Sequence, residues 1–283
     1  MQVIKKIVSV LLFVFLYISV SFSQNAVDIS NKMFENAKKI NTVIFKIVSK
    51  ERFGSDYKLI EAYFKKQSTP IRIYYKQLKP NYGAEVLINE KYSKKALVNP
   101  NSFPWINVVL DPMSKSLRDG QHHSIYDAGF DYFIKILSEL FEKNKNDLQN
   151  LVNYKGEINY NNIQCYKIEL NNPSFQIIKY KVQGNYTVNS LASKLNICDY
   201  HIIERNPAFK EYTDKITIGT ILNIPSDYSK KLILVINKIT YLPVYMEIYD
   251  DKGLFEQYQF NEVKINPVFS ENDFSETNKE YGF

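Results

Sequence analysis

Residues 43–78 read "VIFKIVSKERFGSDYKLIEAYFKKQSTPIRIYYKQL", and three runs within them, "VIFKIVSKERF", "YKLIEAYFKKQ" and "IRIYYKQL", alternate apolar and polar residues. A period of two sends successive side chains to opposite faces of a strand, so each run predicts a strand with one dry face. Turn residues separate them: Gly54-Ser55-Asp56 after the first, and Pro80-Asn81-Tyr82-Gly83 after the third. "AEVLIN" and "KALVN" continue the pattern, which makes the region an antiparallel meander with one buried face. Composition points the same way. The chain holds 22 Tyr and 18 Phe among 283 residues, and aromatic and β-branched residues fit a half-buried pleated surface. With 45% hydrophobic and 23% charged residues and only 9 Gly and 10 Pro, it is neither disordered nor collagen-like.

Upstream, "NAVDISNKMFENAKKI" sets Ile29, Met33, Ala37 and Ile40 at helical spacing, with Asp28 or Ser30 available as a cap. Downstream, "NPNSFPWINVVLDP" reads as a loop, and Phe130, Phe133, Ile134, Leu137, Leu140 and Phe141 recur every three or four residues as the apolar face of a second helix, of about five turns. Strands resume with "KGEINY", "IQCYKIEL" and "FQIIKYKV", and again with "KLILVINK", "PVYMEIYD", "LFEQYQF" and "VKIN". The tail "FSENDFSETNKEYGF" reads as an irregular wrap. A single curved sheet with an apolar concave face must be covered by helices or by a ligand. Whether the two helices fill that face or leave a hollow decides between a packed core and a site for an apolar chain.

The first 23 residues place Lys5 and Lys6 before an uncharged run from Ile7 to Val20, followed by Ser21 and Ser23. That is the pattern of a cleaved export signal, with an uncleaved N-terminal anchor as the alternative. The run is short for a membrane span and no second one follows, so no stable span is expected after cleavage. The formal charge of +6 includes Lys5 and Lys6 and no acid from this segment, which leaves +6 − 2 = +4 on the remainder. The lysines are interspersed with acids, there is no nucleic-acid motif, and an exported chain does not meet DNA or RNA. Cys165 and Cys198 each sit in an apolar context and read as two buried free thiols, with pairing in an oxidising compartment left open.

Residues 186–225 have another texture: strand, helix, helix, strand, between sheet strands on both sides. Leu191, Ala192, Leu195 and Ile197 form one apolar face, and Ile202 and Ile203 another. The segment resembles a LysM domain, a small βααβ module that binds the N-acetylglucosamine-containing glycans of peptidoglycan. The likeness rests on Tyr186-Thr187-Val188, "SLASKLNI", "IIERNP" and "ITIGTILNIP" with Gly219 and the terminal Ile224-Pro225. Where that family carries a polar loop, this chain passes straight from Val188 to Asn189. The resemblance implies a glycan groove with Asn189 and Ser190 on one wall and Asn206, Pro207, Ala208 and Phe209 on the other.

The surrounding chain resembles the periplasmic lipoprotein-carrier fold, LolA/LolB-like and outer-membrane lipoprotein-sorting-like. The residues that carry it are "IRIYYKQLKPNYGAEVL", "RDGQHHSIYDAGF" and "NKITYLPVYMEIYDDKGLFEQYQFNEVKIN" with its Thr240-Tyr241-Leu242-Pro243 turn. The resemblance implies an incomplete barrel around an apolar cavity with helices as its lid.

Residues 116–130, "SLRDGQHHSIYDAGF", hold two of the three histidines. On an extended chain His122 and His123 point to opposite sides, which argues against shared metal ligation. Ser124 and Asp127 form a capping-box pair that starts the second helix, a structural role. No nucleophile elbow, metalloprotease motif or phosphate-binding glycine loop is present, and the acids lie singly along alternating strands, as on a solvated face.

The expected fold is therefore α+β: a curved antiparallel half-barrel sheet covered by amphipathic helices, with an inserted small βααβ LysM-like domain. The expected division is a signal at 1–23, a discontinuous carrier-like domain at 24–185 and 227–283, and the insert at 186–226. The expected function is a non-enzymatic protein of the periplasm or outer envelope of a Gram-negative-type bacterium. It would bind peptidoglycan through the insert and hold a lipid or lipoprotein acyl chain in the half-barrel, with no cofactor and no metal. The alternative is an envelope scaffold with a filled core. A wall-acting hydrolase lacks candidate residues.

Overall fold

The computed structural model describes residues 26–103 and 105–283. The expected export signal at residues 1–23 lies outside them. Helix α1 is described over residues 26–37. It leads into the hairpin β1 (Thr42–Phe53) and β2 (Asp56–Ser68), then β3 (Ile71–Lys79), β4 (Glu85–Asn89), β5 (Ser93–Asn99) and β6 (Val108–Leu110). Helices α2 (Asp131–Lys143) and α3 (Leu148–Leu151) precede β7 (Val152–Tyr160), β8 (Ile163–Asn171) and β9 (Ile177–Lys181). A small unit follows, with β10 (Tyr186–Thr187), α4 (Val188–Leu195), α5 (Asp199–Arg205), β11 (Lys215–Ile216) and β12 (Ile221–Pro225). The chain closes with β13 (Lys231–Asn237), β14 (Pro243–Asp250) and β15 (Gly253–Ile265).

Eleven strands form one sheet in the order β6-β5-β4-β3-β2-β1-β15-β14-β13-β8-β7. Its ladders are antiparallel throughout, and the end strands β6 and β7 do not pair with each other. The sheet is therefore an open half-barrel. The β1–β2 register runs from Thr42 opposite Gln67 to Phe53 opposite Asp56. That leaves a two-residue turn whose Gly54 has φ 64°, a conformation suited to a tight hairpin.

The period-two pattern decides which face is buried. Phe45, Ile60, Ala62, Phe64, Phe260 and Met246 belong to one apolar cluster with Ile29, Met33 and Phe34 of α1 and with Phe133, Ile134, Leu137, Leu140 and Phe141 of α2. Both helices thus lie on the same face of the sheet. Phe34 and Phe141 meet edge to face at 5.0 Å, and Phe45 stacks on Phe64 at 5.0 Å. Each fully buried Leu, Ile or Phe of α2 contributes roughly 1.5–3 kcal/mol of transfer free energy before ordering costs. The opposite face is covered locally by the C-terminal tail, where Phe274 and Tyr281 pack on Tyr74 and Leu87 and Tyr281 stacks on Tyr74 at 3.7 Å. That explains why β3 and β4 bury consecutive residues instead of alternate ones.

Four details depart from the sequence reading. The segment read as a loop contains edge strand β6, which pairs with β5 at Ala96, Leu97 and Val98. Helix α2 has 13 residues, under four turns at 3.6 residues per turn. The Ser124/Asp127 box closes a separate 3-10 turn at Ile125–Asp127, whereas the N-cap of α2 is Phe130, which makes no side-chain cap. Strand β9, read with the large-sheet strands, pairs instead with β12 in a two-stranded ribbon. The returning strand of the small unit is correspondingly split, with β11 on β10 and β12 on β9. Val182, Val188, Leu191, Ile202, Ile216 and Leu222 form its own apolar cluster. Cys165 and Cys198 are free and buried, and they fall in different clusters. Among the described residues no helix is long and apolar enough to cross a membrane.

Candidate functional site

The segment from Arg118 to Phe130 lies where the half-barrel, the small unit and the start of α2 meet. Ser124 donates its backbone N–H (3.0 Å) and its hydroxyl (2.7 Å) to one Asp127 oxygen. Lys66 of β2 donates to the carbonyls of Tyr126 at 3.0 Å and Ala128 at 2.7 Å, which pins this turn to the sheet. Gly129, with φ 95°, then redirects the chain into α2.

Both histidine rings reach a single carboxylate. His122 Nδ1 lies 2.8 Å and His123 Nε2 lies 3.1 Å from Glu256 Oε1. The expectation that the two point apart fails because the backbone bends at both residues, so the alternation of an extended strand does not apply. Tyr228 donates its hydroxyl to Glu256 Oε2 at 2.8 Å and lies 3.0 Å from His123 Nε2. His122 Nε2 sits 2.7 Å from the Arg52 carbonyl. Glu51 accepts from the Tyr258 hydroxyl at 2.8 Å and from the His122 backbone N–H.

Glu51 and Glu256 stand directly opposite each other on β1 and β15, with 2% and 0% of their surface exposed. Two like charges in that register repel, and the histidines and tyrosines offset the cost. Burial disfavours the charge on His123, but the Glu256 carboxylate outweighs it and raises the imidazolium to about 9. Burial likewise opposes ionisation of Glu256, yet His123 and His122 hold its carboxyl well below the usual range. Burial, and then Glu256, push the Tyr228 and Tyr258 hydroxyls well above theirs. With both oxygens of Glu256 engaged, this is an ion-paired network rather than a poised general base.

The sequence reading placed the acids on a solvated face. Glu51 and Glu256 lie on the buried one, and the clue was parity: Glu51 falls in step with Val43, Phe45 and Ile47, and Glu256 with Tyr258 and Phe260. Asp250, also buried, shares that parity with Met246 and Ile248, whereas buried Arg52 and Arg118 carry no such signal, because their partners come from distant segments. Arg118 grips Asp199 with two bonds of 2.8 and 2.7 Å and lies 3.4 Å over the Tyr212 ring. Arg52 binds Asp250 at 3.0 and 2.5 Å. Arg205 reaches Asp250 at 3.1 Å and Asp251 at 2.6 Å. His201 stacks on Phe255 at 3.9 Å, and His122 stacks on Tyr200 at 4.5 Å. The small unit is therefore docked through buried ion pairs and rings, not tethered.

The residues expected to line a glycan groove divide. Asn206 spends its side chain inside the small unit, donating to the Ile202 and Asn223 carbonyls at 2.8 and 2.9 Å and accepting from the Asn223 N–H at 2.9 Å. Ser190 caps α4 with Thr187, and the Asn189 N–H donates to the Tyr212 carbonyl at 2.9 Å. Pro207 and Ala208 are exposed. Pro207 and Phe209, with Phe53, Tyr200, Lys58 and Lys210, border an open groove of about 440 Å³ between the small unit and the half-barrel. Asn189, Ser190 and Asn206 do not border it.

Beneath the 3-10 turn and the start of α2, the helix-covered face of the sheet retains a cavity of about 70 Å³ lined by His123, Tyr132, Phe133, Tyr228, Met246 and Phe260. It has room for a few waters. Larger open clefts of about 650 and 720 Å³ lie near Asn237 and Thr240 and under the tail at Phe274, and no histidine lines either.

An open antiparallel sheet with helices across one face and a small docked α/β unit defines an α+β half-barrel. The chain belongs to the family of proteins of unknown function DUF1571, whose model matches residues 45–187. No curated protein matches it. Its fold is similar to that of a LolA superfamily protein from Nitrosomonas europaea, at 10% identity and a TM-score of 0.34 over 88% of this chain and 97% of that one. It is also similar to the lipoprotein LppX of Mycobacterium tuberculosis, at 13% identity and a TM-score of 0.39 over 87% and 98%. A third similar structure is the MucA/MucB complex of Pseudomonas aeruginosa, at 12% identity and a TM-score of 0.38. There this chain is covered over 89% and spans 60% of its counterpart.

Proposed function

We propose that the protein is an exported, non-catalytic binding protein of the cell envelope. Its half-barrel holds an apolar chain, a lipid or a lipoprotein acyl chain, and the small unit over residues 186–226, LysM-like in its element order, touches peptidoglycan glycan. The supporting observation is the helix-covered face itself: an open apolar sheet surface, closed by α2, with a residual cavity between them. Ligand pockets commonly measure about 300–1,000 Å³, far above the 70 Å³ left here. Binding therefore requires α2 to lift at Gly129, exchanging its apolar face for that of the ligand.

The small cavity also favours the rival reading, an envelope scaffold with a filled core. Native mass spectrometry of protein purified from envelope, followed by titration with a fluorescent fatty acid, separates the two. A co-purifying acyl species or saturable uptake of the probe is the expected result. A clean protein mass with no uptake overturns the lipid reading and leaves the scaffold.

A further inference from the structure

We infer that His122, Cys198 and Glu256 bind a divalent transition-metal ion of the zinc class, which joins the half-barrel to the small unit. His122 Nδ1, Cys198 Sγ and a Glu256 carboxylate oxygen all lie within 4.8 Å of one another, and the three residues are fully buried. They come from three separate elements: the bent segment before α2, the N-cap of α5 and strand β15.

The orientation of His122 argues for a cation. Its Nε2 faces the Arg52 carbonyl at 2.7 Å, and a carbonyl only accepts, so the Nε2 proton is fixed there. Nδ1 then faces Glu256 Oε1 at 2.8 Å. Two lone pairs do not meet at that distance, so a proton lies between them, in the place a metal ion takes once the two atoms part to about 3.3 Å. The Cys198 sulfur beside the pair supplies what a proton does not need and a zinc-class ion does. Glu51 Oε2, 4.0 Å from the same Nδ1, adds negative charge around the position.

One imidazole, one thiolate and one carboxylate make a borderline-soft donor set that selects zinc or cobalt over magnesium or calcium. Zinc bonds of about 2.0–2.3 Å imply ligand atoms roughly 3.3–3.8 Å apart, so small side-chain shifts close the site. A water would complete the set as fourth ligand. The outer partners are already in place: the Arg52 carbonyl orients His122, and Tyr228 and His123 hold Glu256, as metal ligands require. Binding releases the thiol proton and the proton at Nδ1 to solvent. Metal binding here requires neither a lipid nor a glycan ligand.

The test uses the chain without its first 23 residues, purified without metal-affinity steps, stripped with a chelator and titrated with Co²⁺ and with Zn²⁺. The expected result is one equivalent bound per chain, with a thiolate-to-cobalt charge-transfer band. Cys198→Ser loses that band and Cys165→Ser keeps it. Zn²⁺ raises the Tm of stripped wild type and leaves that of Cys198→Ser unchanged. Should Cys198→Ser fail to fold, the wild-type cobalt spectrum decides alone. A wild type that takes up no equivalent of metal, or takes it up without the thiolate band, overturns the inference, as does a band that survives in Cys198→Ser.

Discussion

At Glu256 a charge sits in the interior opposite a second one, Glu51, and what holds it there is the supply of donors from His122, His123 and Tyr228. Removing one member of a buried charged set leaves the others uncompensated. Glu256→Gln is expected to lower stability by about 3–5 kcal/mol in urea unfolding; a loss below 1 kcal/mol would show that the network does not hold the fold. Asp250 gives a pH signature. Burial opposes its ionisation, but His201, 3.6 Å away, and the Arg52 guanidinium outweigh it and hold the carboxyl well below the usual range. A depressed folded-state value means that the stabilisation is complete above the unfolded-state value of about 3.9 and is lost as pH falls further. Thermal scans should therefore find wild type losing Tm below about pH 4 more steeply than Asp250→Asn. These residues were only half legible. The parity of Glu51 with Phe45 marks an inward acid, but the bends that bring His122 and His123 onto one carboxylate leave no trace in local spacing.

Helix α2 is the element on which the proposed binding turns. Leu137, 2% exposed, anchors it to the sheet, and Leu137→Ala is expected to cost about 2–5 kcal/mol and to speed hydrogen exchange across α2. Exchange rising equally through the sheet would instead point to global loosening. In the small unit, Phe209 is the one predicted groove residue that is both half-buried and on the open groove. Phe209→Ala, assayed well below its Tm because Phe209 also packs on the small unit's apolar cluster, should reduce sedimentation with purified peptidoglycan; equal retention counts against the glycan reading. Long periodic elements were readable because periodicity survives any tertiary setting, as in β1, β2 and α2. Strand β6 was not, since its three residues follow a Pro-, Asn- and Trp-rich loop and become a strand only through β5. The same holds for β9, whose alternation marks it as a strand but does not name β12 as its partner.

At the scale of the whole molecule, eleven antiparallel strands curve around two helices, and the small unit is fixed to the rest by Arg118–Asp199 and by Arg205 on Asp250 and Asp251. A curved sheet covered by helices was legible from strand periodicity plus two amphipathic stripes, and the likeness to the lipoprotein-carrier fold implied that the barrel is incomplete. How far the helices fill it was not, because a void depends on how side chains from distant segments interlock. That packing leaves only about 70 Å³, so the proposed binding requires α2 to yield its place to an apolar chain. A photoactivatable fatty acid, crosslinked to the protein and mapped by peptide mass spectrometry, tests this most directly. Adducts on Phe133, Met246 and Phe260, competed away by unlabelled fatty acid, are predicted; labelling confined to exposed residues such as Trp105 and Ile239 would contradict it.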